Sequence, residues 1–290
     1  MKTILRSEIP KDFTYYRTGS KVFYEYYKNF TRLTIHRIGK GYEFLRAGRI
    51  IGNIYSVIVE KIDTEPTRSM LRKIGIHHGI VFWGPMRVMK RPKGWLKIPT
   101  ILLLYYEYLH STRSAFSVLE REDYWNKWSP SARAHRRKVL KMKEIGKLKI
   151  EQTDDVNFFL EIYKKTKVPD PHKSYLINWC EKKFALGIEG TRLYLAYIDN
   201  IPLAGAIFID EGVTSEYFTS FYSQESHPYH LGVAIMDQWF SDSYNAGIKY
   251  CDLDHMRDSW QSGSYSGYTK FKESIVDYDV RFHDMWIKIF

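Results

Sequence analysis

Between Arg192 and Asp254 the sequence leaves its own folding little freedom. Arg192–Tyr197 and Leu203–Ile209 are strand-like apolar runs, and Asp199-Asn200 between them is a tight-turn signal. Two such residues in a short link join neighbouring strands antiparallel. Ser215–Phe221 supplies a further strand, Gly232–Ala246 a helix, and Lys249–Asp254 a strand that ends in acids. Helices Asp154–Lys165 and His172–Phe184 precede this series, with Pro169 and Pro171 in the loop between them.

The first half follows a similar order. Val22–Phe30 alternates aromatic and charged residues at helical spacing. Residues 33–62 read as strands: Leu33–Ile38 and Tyr42–Arg46 flank the hairpin-like turn Gly39-Lys40-Gly41, and Gly48–Asn53 leads into Ile54–Val59. Gly79–Trp83 is a buried-strand candidate ended by Gly84-Pro85, Ile98–Arg113 reads as a helix and Ala115–Leu119 as a strand. Antiparallel strands followed by a strand-helix-strand unit make an α/β half with a mixed sheet. Ser129-Pro130-Ser131 opens a helix from Ala132 to Ile145, since proline in the first turn and serine before it are start signals. Gly146 stops that helix, and Lys147–Glu151 alternates as a strand. We place a domain boundary here, giving residues 1–145 and 146–290, two α/β halves side by side.

Composition allows both halves a core. Of 290 residues, 44% are hydrophobic and 16% aromatic, which excludes disorder. Lys and Arg number 44 against 33 Asp and Glu, so the net charge of +11 favours an anionic partner: tRNA, a nucleotide-linked precursor or an anionic lipid surface. A solvated basic face is the plainer account of the same surplus. Cys180 and Cys251 lie far apart and form no CxxC, which points away from a disulfide scaffold or structural zinc and toward a reducing cytoplasm. The start, Met1–Glu8, lacks the apolar core of a signal peptide, and the longest apolar run, near Ile98–Tyr106, is less than half of the ~20 residues a membrane span needs. P-loop, GxSxG and HExxH motifs are absent, as is a metal-spaced Cys/His set; the centre of Gly263–Gly267 is Tyr265, and His77-His78 lacks a third ligand.

Several groups of residues could carry chemistry. Arg133, Arg137 and Lys141 recur at i, i+4 and i+8 and form one positive stripe, with Arg136 beside it; these side chains could hold phosphates or simply face water. Lys164, Lys165, Lys167 and Lys173 extend the positive field. Asp252 and Asp254 share a strand face with Tyr250. Two roles are open to these acids: accepting a proton from an attacking amine, or capping the following loop through its backbone. His255 and Tyr265 lie nearby with no sharper assignment.

An ordered series resembles the FemABX-type aminoacyltransferases. It comprises Trp83-Gly84-Pro85, the basic stretch Ser131–Lys138, the paired strands Leu193–Phe208 with Pro202–Gly205, then Gly247–Leu253 and Gly267-Tyr268-Thr269-Lys270-Phe271-Lys272. The match covers the second half well and the first thinly. It implies two tandem GNAT-like domains, the acceptor on the N-terminal side and the donor on the C-terminal side. It further implies transfer of an amino acid from aminoacyl-tRNA to an amine of a peptidoglycan precursor, with neither cofactor nor metal. Carried onto the family's Phe-Lys position, Lys272 would stabilise the negative charge that grows on the ester carbonyl, and Phe271 would shape the pocket and exclude water. Asp254 is the candidate base. A solvated lysine is the plain alternative for Lys272.

Ordinary GNAT acetyltransferases cradle the CoA pyrophosphate with Arg/Gln-x-x-Gly-x-Gly/Ala at a helix start. Gly232 and Ala234 fit that pattern and Tyr229 stands where Arg or Gln is expected, so an acyl-CoA donor with a sugar, lipid or peptide amine stays open. So does close helix packing as the reason for the two small residues. A third reading is an inert RNA-binding protein on the same scaffold.

Overall fold

The structure is a computed structural model. It describes residues 1–5, 8–14, 19–38, 41–60, 62–85, 89–98, 113–166, 177–178, 180–182, 190–257, 265–281 and 285–290. Residues 99–112 of the expected helix Ile98–Arg113, Gly39-Lys40 of the first expected turn, most of the expected helix His172–Phe184, and Lys167 and Lys173 lie outside them.

In chain order the elements are β1 (Lys2–Leu5), α1 (Lys21–Phe30), β2 (Thr34–Arg37), β3 (Phe44–Ile51), β4 (Ile54–Glu60), α2 (Arg68–Lys73), β5 (His78–Gly84), β6 (Leu96–Lys97) and β7 (Arg113–Val118). After them come a 3₁₀ turn (Tyr124–Lys127), α3 (Pro130–Glu144), β8 (Leu148–Thr153), α4 (Val156–Lys165), β9 (Thr191–Ile198), β10 (Ile201–Glu211) and β11 (Thr214–Tyr222). A second 3₁₀ turn (Gln224–Tyr229), α5 (Leu231–Asn245), β12 (Tyr250–His255), a π-helical turn (Tyr265–Thr269), α6 (Lys270–Glu273), β13 (Tyr278–Arg281) and β14 (Trp286–Ile289) complete the chain. Among the described residues, no helix is long and apolar enough to cross a membrane.

The chain gathers into two compact units, each drawn from separated stretches. The first takes Met1, Ala115–Asp254 and Lys270–Tyr278; the second takes Lys2–Ser114, His255–Thr269 and Asp279–Phe290. The junction Ile145-Gly146 falls between α3 and β8, inside the first unit.

In the first unit the strands run in the order β8-β9-β10-β11-β12-β7. The β9–β10 link is the expected tight turn: Asp199 and Asn200 both take left-handed backbone, φ 49° and 66°, which matches the twist of the strands they join. β11 pairs antiparallel with β10 but parallel with β12, so the sheet is mixed. The register between β10 and β11 passes from Thr219 to Tyr217 and skips Phe218, a β-bulge. Helix α3 begins as its sequence signals require. Ser129 Oγ accepts the Ala132 N–H at 3.2 Å, Pro130 sits in the first turn, and Gly146 follows the last turn at φ 70°. Trp239 of α5 stacks on Phe208 of β10 at 4.3 Å and donates to Ser215 Oγ at 2.7 Å, fixing the helix to the sheet.

The second unit holds a mixed sheet in the order β2-β3-β4-β5-β14-β6. Its core is dry and aliphatic-aromatic: Leu45, Ala47, Val57, Val59, Leu71, Val81, Trp83, Trp95 and Trp286 pack together. Gly48–Ile51 lies in strand β3, within the stretch read as strands, and the turn is the two-residue link Gly52-Asn53, with Ile51 opposite Ile54. Gly48 is admitted to the strand by packing, since a Cβ there would lie 3.0 Å from Leu33 Cδ2.

Candidate functional site

Strands β11 and β12 lie side by side from Thr214–Tyr250 to Glu216–Asp252, where their pairing stops. In open α/β sheets the carboxyl ends of parallel strands are where ligands settle. Lys272 reaches this point from α6: its side chain is 1% exposed and its Nζ donates to the carbonyl oxygen of Leu253, one residue past the last paired position. On the β11 side, Nζ lies 5.4 Å from the ring centroid of Tyr217, also one residue past the pairing. A carbonyl dipole and an aromatic face thus hold the cation, both favourable to positive charge. Lys272 is therefore turned inward rather than solvated.

The bulge at Phe218 decides what surrounds it. In a regular strand Tyr217 would share a face with Thr219 and Phe221, and Phe221 packs away from α5 against Phe159 and Tyr163. The extra residue moves Tyr217 onto the face of Ser220 and Tyr222, and its hydroxyl is hydrogen-bonded to Ser220 Oγ. Tyr222 joins the same group of hydroxyls, and burial pushes its pKa above the ordinary phenol value. A Cβ on Gly232, in the first turn of α5, would lie 3.5 Å from both the Phe271 ring and the Tyr222 hydroxyl. Lys272, Phe271 and Gly232, singled out on sequence grounds, thus meet around a set of hydroxyls.

The start of α5 is a second feature of the site. Its N-cap, His230, is left-handed at φ 53° and provides no side-chain cap, so the first-turn N–H groups keep their partial positive charge. The His230 ring stacks on His135 of α3 at 3.9 Å with 12° between the planes. Burial, His135 and Lys138 together hold the His230 pKa below its ordinary value. Tyr229 carries Lys147 Nζ 5.3 Å from its ring centroid, so a cation does stand here, brought by β8's flank rather than by residue 229. Ala234 is fully buried and donates its N–H to the His230 carbonyl at 3.2 Å; it serves the packing of α5.

The acids divide their work. Asp252 Oδ1 accepts the Asp254 N–H at 2.8 Å, an Asx-type turn that supports the left-handed backbone of Asp254, φ 54°. Of the two roles open to these acids, Asp252 therefore takes the backbone-capping one, and Asp254 is buried at the strand end.

The basic helix splits as well. Arg137 and Lys141 are exposed and Arg133 is half-buried. Arg136 turns inward: its Nε pairs with Asp237 of α5 at 2.6 Å, and its guanidinium lies 3.8 Å from the Trp125 ring centroid. Tyr124 also donates to Asp237, at 2.9 Å. Together they line a hollow of about 250 Å³ that includes Lys143, whose pKa burial lowers. Arg136, beside the positive stripe, is thus held in an internal ion pair. Lys164 and Lys165 are paired with Glu181 and Glu161 at 3.2 and 2.6 Å.

Sequence reading missed Tyr217, Ser220, Tyr222 and Lys147. The first three needed the bulge, which nothing in the order of residues marks. Lys147 needed the approach of β8's flank to the start of α5.

No family model matches the sequence, and no curated protein matches it. Solved structures do resemble it. FemX aligns with a TM-score of 0.64 at 11% identity, covering 94% of this chain and 92% of that one. L-PGS from Bacillus licheniformis aligns at 0.53 and 11% identity, covering 93% and 88%. The C-terminal domain of a putative lysylphosphatidylglycerol synthetase from Agrobacterium fabrum aligns at 0.53 and 9% identity, covering 88% and 84%. At these identities the likeness is one of fold. The chain has the FemX-like fold, with the two mixed sheets expected of paired GNAT-like domains.

Proposed function

We propose that the protein is an acyltransferase that moves an aminoacyl group from aminoacyl-tRNA to an amine of an anionic cell-wall precursor, with Lys272 as the cation that stabilises the reacting carbonyl. The observation that carries this reading is the Lys272 ammonium fixed at the end of the β11–β12 pairing, between the Leu253 carbonyl and the Tyr217 ring. An ester carbonyl docked there would gain negative charge on its oxygen as the amine attacks, and a preorganised cation is worth several kcal/mol in a site closed to water. The new C–N bond forms as the ester C–O bond breaks. The proton given up by the amine passes to the departing ribose hydroxyl, with the Tyr217, Ser220 and Tyr222 hydroxyls as candidate carriers and Asp254 as the candidate base. Phe271 would cover the donor. Arg133, Arg137 and Lys141 offer phosphate contacts on α3.

A second donor is supported by a specific feature, the start of α5. Its uncapped first turn, Gly232, and the nearby His135, His230 and Lys147 suit an acyl-CoA pyrophosphate. The lysylphosphatidylglycerol synthetases among the similar structures add an anionic lipid to the acceptors worth testing. Radiolabelled aminoacyl-tRNA and acetyl-CoA, each offered with peptide, sugar and lipid amines and with phosphatidylglycerol as a hydroxyl acceptor, distinguish the donors. We expect label transfer from aminoacyl-tRNA; turnover with CoA thioesters alone would replace the tRNA reading with the second one. RNA binding without transfer from either donor would leave the inert RNA-binding reading.

A further inference from the structure

The second unit carries an apolar tip that its core does not use. At the β3–β4 hairpin, Ile50, Ile51 and Ile54 are 55%, 70% and 43% exposed, around the two-residue turn Gly52-Asn53. The register shift between Arg49 and Ile51 leaves Ile50 out of the ladder, so both faces of the hairpin end in isoleucine. Clustered aliphatic side chains at a turn run against the polar composition that turns normally have.

The sheet's topology brings cations to the same end. β4 and β5 are parallel with Ile54 opposite His78, so the start of β5 and the link from α2 lie beside the hairpin tip. β2 begins there too, since Thr34 pairs with Ala47. Arg32, Arg49, Arg72, Lys73, His77 and His78 are all exposed. The three segments that meet at this end, residues 31–34, 47–56 and 70–79, contain no aspartate or glutamate, in a chain that has 33. The field at the tip is therefore not cancelled by neighbouring acids in these segments.

We propose that this end of the second unit docks on an anionic lipid bilayer, the isoleucines entering the boundary between headgroups and acyl chains and the cations facing lipid phosphates. Charge complementarity selects the partner: apolar residues rimmed by unopposed Lys and Arg are the signature of an interfacial membrane anchor. A single-stranded nucleic acid would use the same cations and favour aromatic stacking surfaces, whereas three branched aliphatics dominate this tip, with Tyr55 half-buried behind them. The inference is independent of which acyl donor the first unit takes.

The test is co-sedimentation of the full-length protein with phosphatidylcholine vesicles, alone or enriched in phosphatidylglycerol. Partitioning is expected to be on the order of tenfold or more stronger to the enriched vesicles and to weaken as salt rises. The double substitution Ile51→Ser/Ile54→Ser is expected to cut binding by roughly tenfold or more, because two half-exposed isoleucines lose their apolar transfer. Arg72→Ser/Lys73→Ser is expected to reduce binding to the enriched vesicles while leaving the weak binding to neutral ones unchanged. Melting curves that coincide with the parent's show that the variants fold. Equal partitioning to both vesicle types overturns the proposal. So does undiminished vesicle binding by the isoleucine variant, or RNA binding that the isoleucine substitutions abolish while vesicle binding persists.

Discussion

The two units bury different things. Among the described residues the first unit encloses Arg192, Glu216, Asp237, Asp252, Asp254 and Lys272, whereas the charged groups buried in the second are Arg113 and Asp279, joined to each other at 2.8 Å. Burying charge is costly unless each group is paired or hydrogen-bonded, so the first unit has to spend side chains on satisfying others. Arg192 shows how: one Nη has oxygens of Asp210, Ser215 and Ser243 within hydrogen-bond reach at 2.8, 2.9 and 2.7 Å, tying β9, β10, β11 and α5 together. The second unit is held by a dry core and places its unusual residues outside, on the hairpin tip. The chemistry proposed above lies in the first unit, where buried dipoles and charges would act on a substrate; the membrane contact proposed above lies on the second.

That contrast can be broken, starting with its largest expected effects. Trp83→Ala in the dry core should cost about 3–5 kcal/mol in urea unfolding, from lost apolar burial and the lost indole bond to the Ile62 carbonyl. Asp237→Ala in the first unit should cost about 3 kcal/mol, because it strands the nearly buried Arg136 guanidinium, whereas the Tyr124 hydroxyl keeps the Asp237 backbone carbonyl as its acceptor. The sharper test is the double variant Arg136→Met/Asp237→Leu, which should recover much of that loss, as removal of both partners of a buried pair does elsewhere. If the double variant is as unstable as the single one, the loss does not come from a stranded Arg136 charge.

Smaller effects follow. Gly205→Ala should cost roughly 1–3 kcal/mol, since its Cβ would stand 2.6 Å from the Phe221 ring and 3.0 Å from that of Phe159. Gly232→Ala meets only ordinary contacts at 3.5 Å and should be neutral or stabilising by up to about 1 kcal/mol. Ile51→Ser should change stability by no more than about 0.5 kcal/mol, the value typical of exposed sites, whatever it does to vesicle binding.

The smallest effect is a titration. His230 has its folded pKa held below the unfolded value near 6.5, so the unfolded chain takes up the proton first. Its contribution to stability is therefore complete above about pH 6.5 and declines as pH falls toward the folded pKa. An NMR titration of His230 should give a value below the free-histidine range, and His135→Ala should raise it. A value unmoved by that substitution would mean that the stacked ring carries none of the shift.

Regular features of the fold were legible because they are local. Asp199-Asn200 announced its turn, Ser129-Pro130 announced α3, and the apolar runs of β9 and β10 announced their pairing. The reason for Gly48 was not local: it makes room in β3 for Leu33. The composition of the units from separated stretches is a property of topology, and no local signal encodes it. At the candidate site, the order of motifs singled out Phe271 and Lys272 and a glycine pattern at a helix start singled out Gly232, but neither indicated their surroundings. Tyr217 faces the lysine only because one residue is left out of a ladder, and Arg136, beside the positive stripe, turns inward because Asp237, a hundred and one positions later, pairs with it.

The central claim concerns the Lys272 ammonium, and single-turnover transfer by Lys272→Met tests it most directly, with donor affinity measured in parallel. A cation that acts on the developing oxyanion should, when removed, slow transfer by about 10² or more while donor affinity changes by less than about tenfold. Melting and circular dichroism establish that the variant retains its fold. Transfer at the parent rate by a folded Lys272→Met protein would contradict the account.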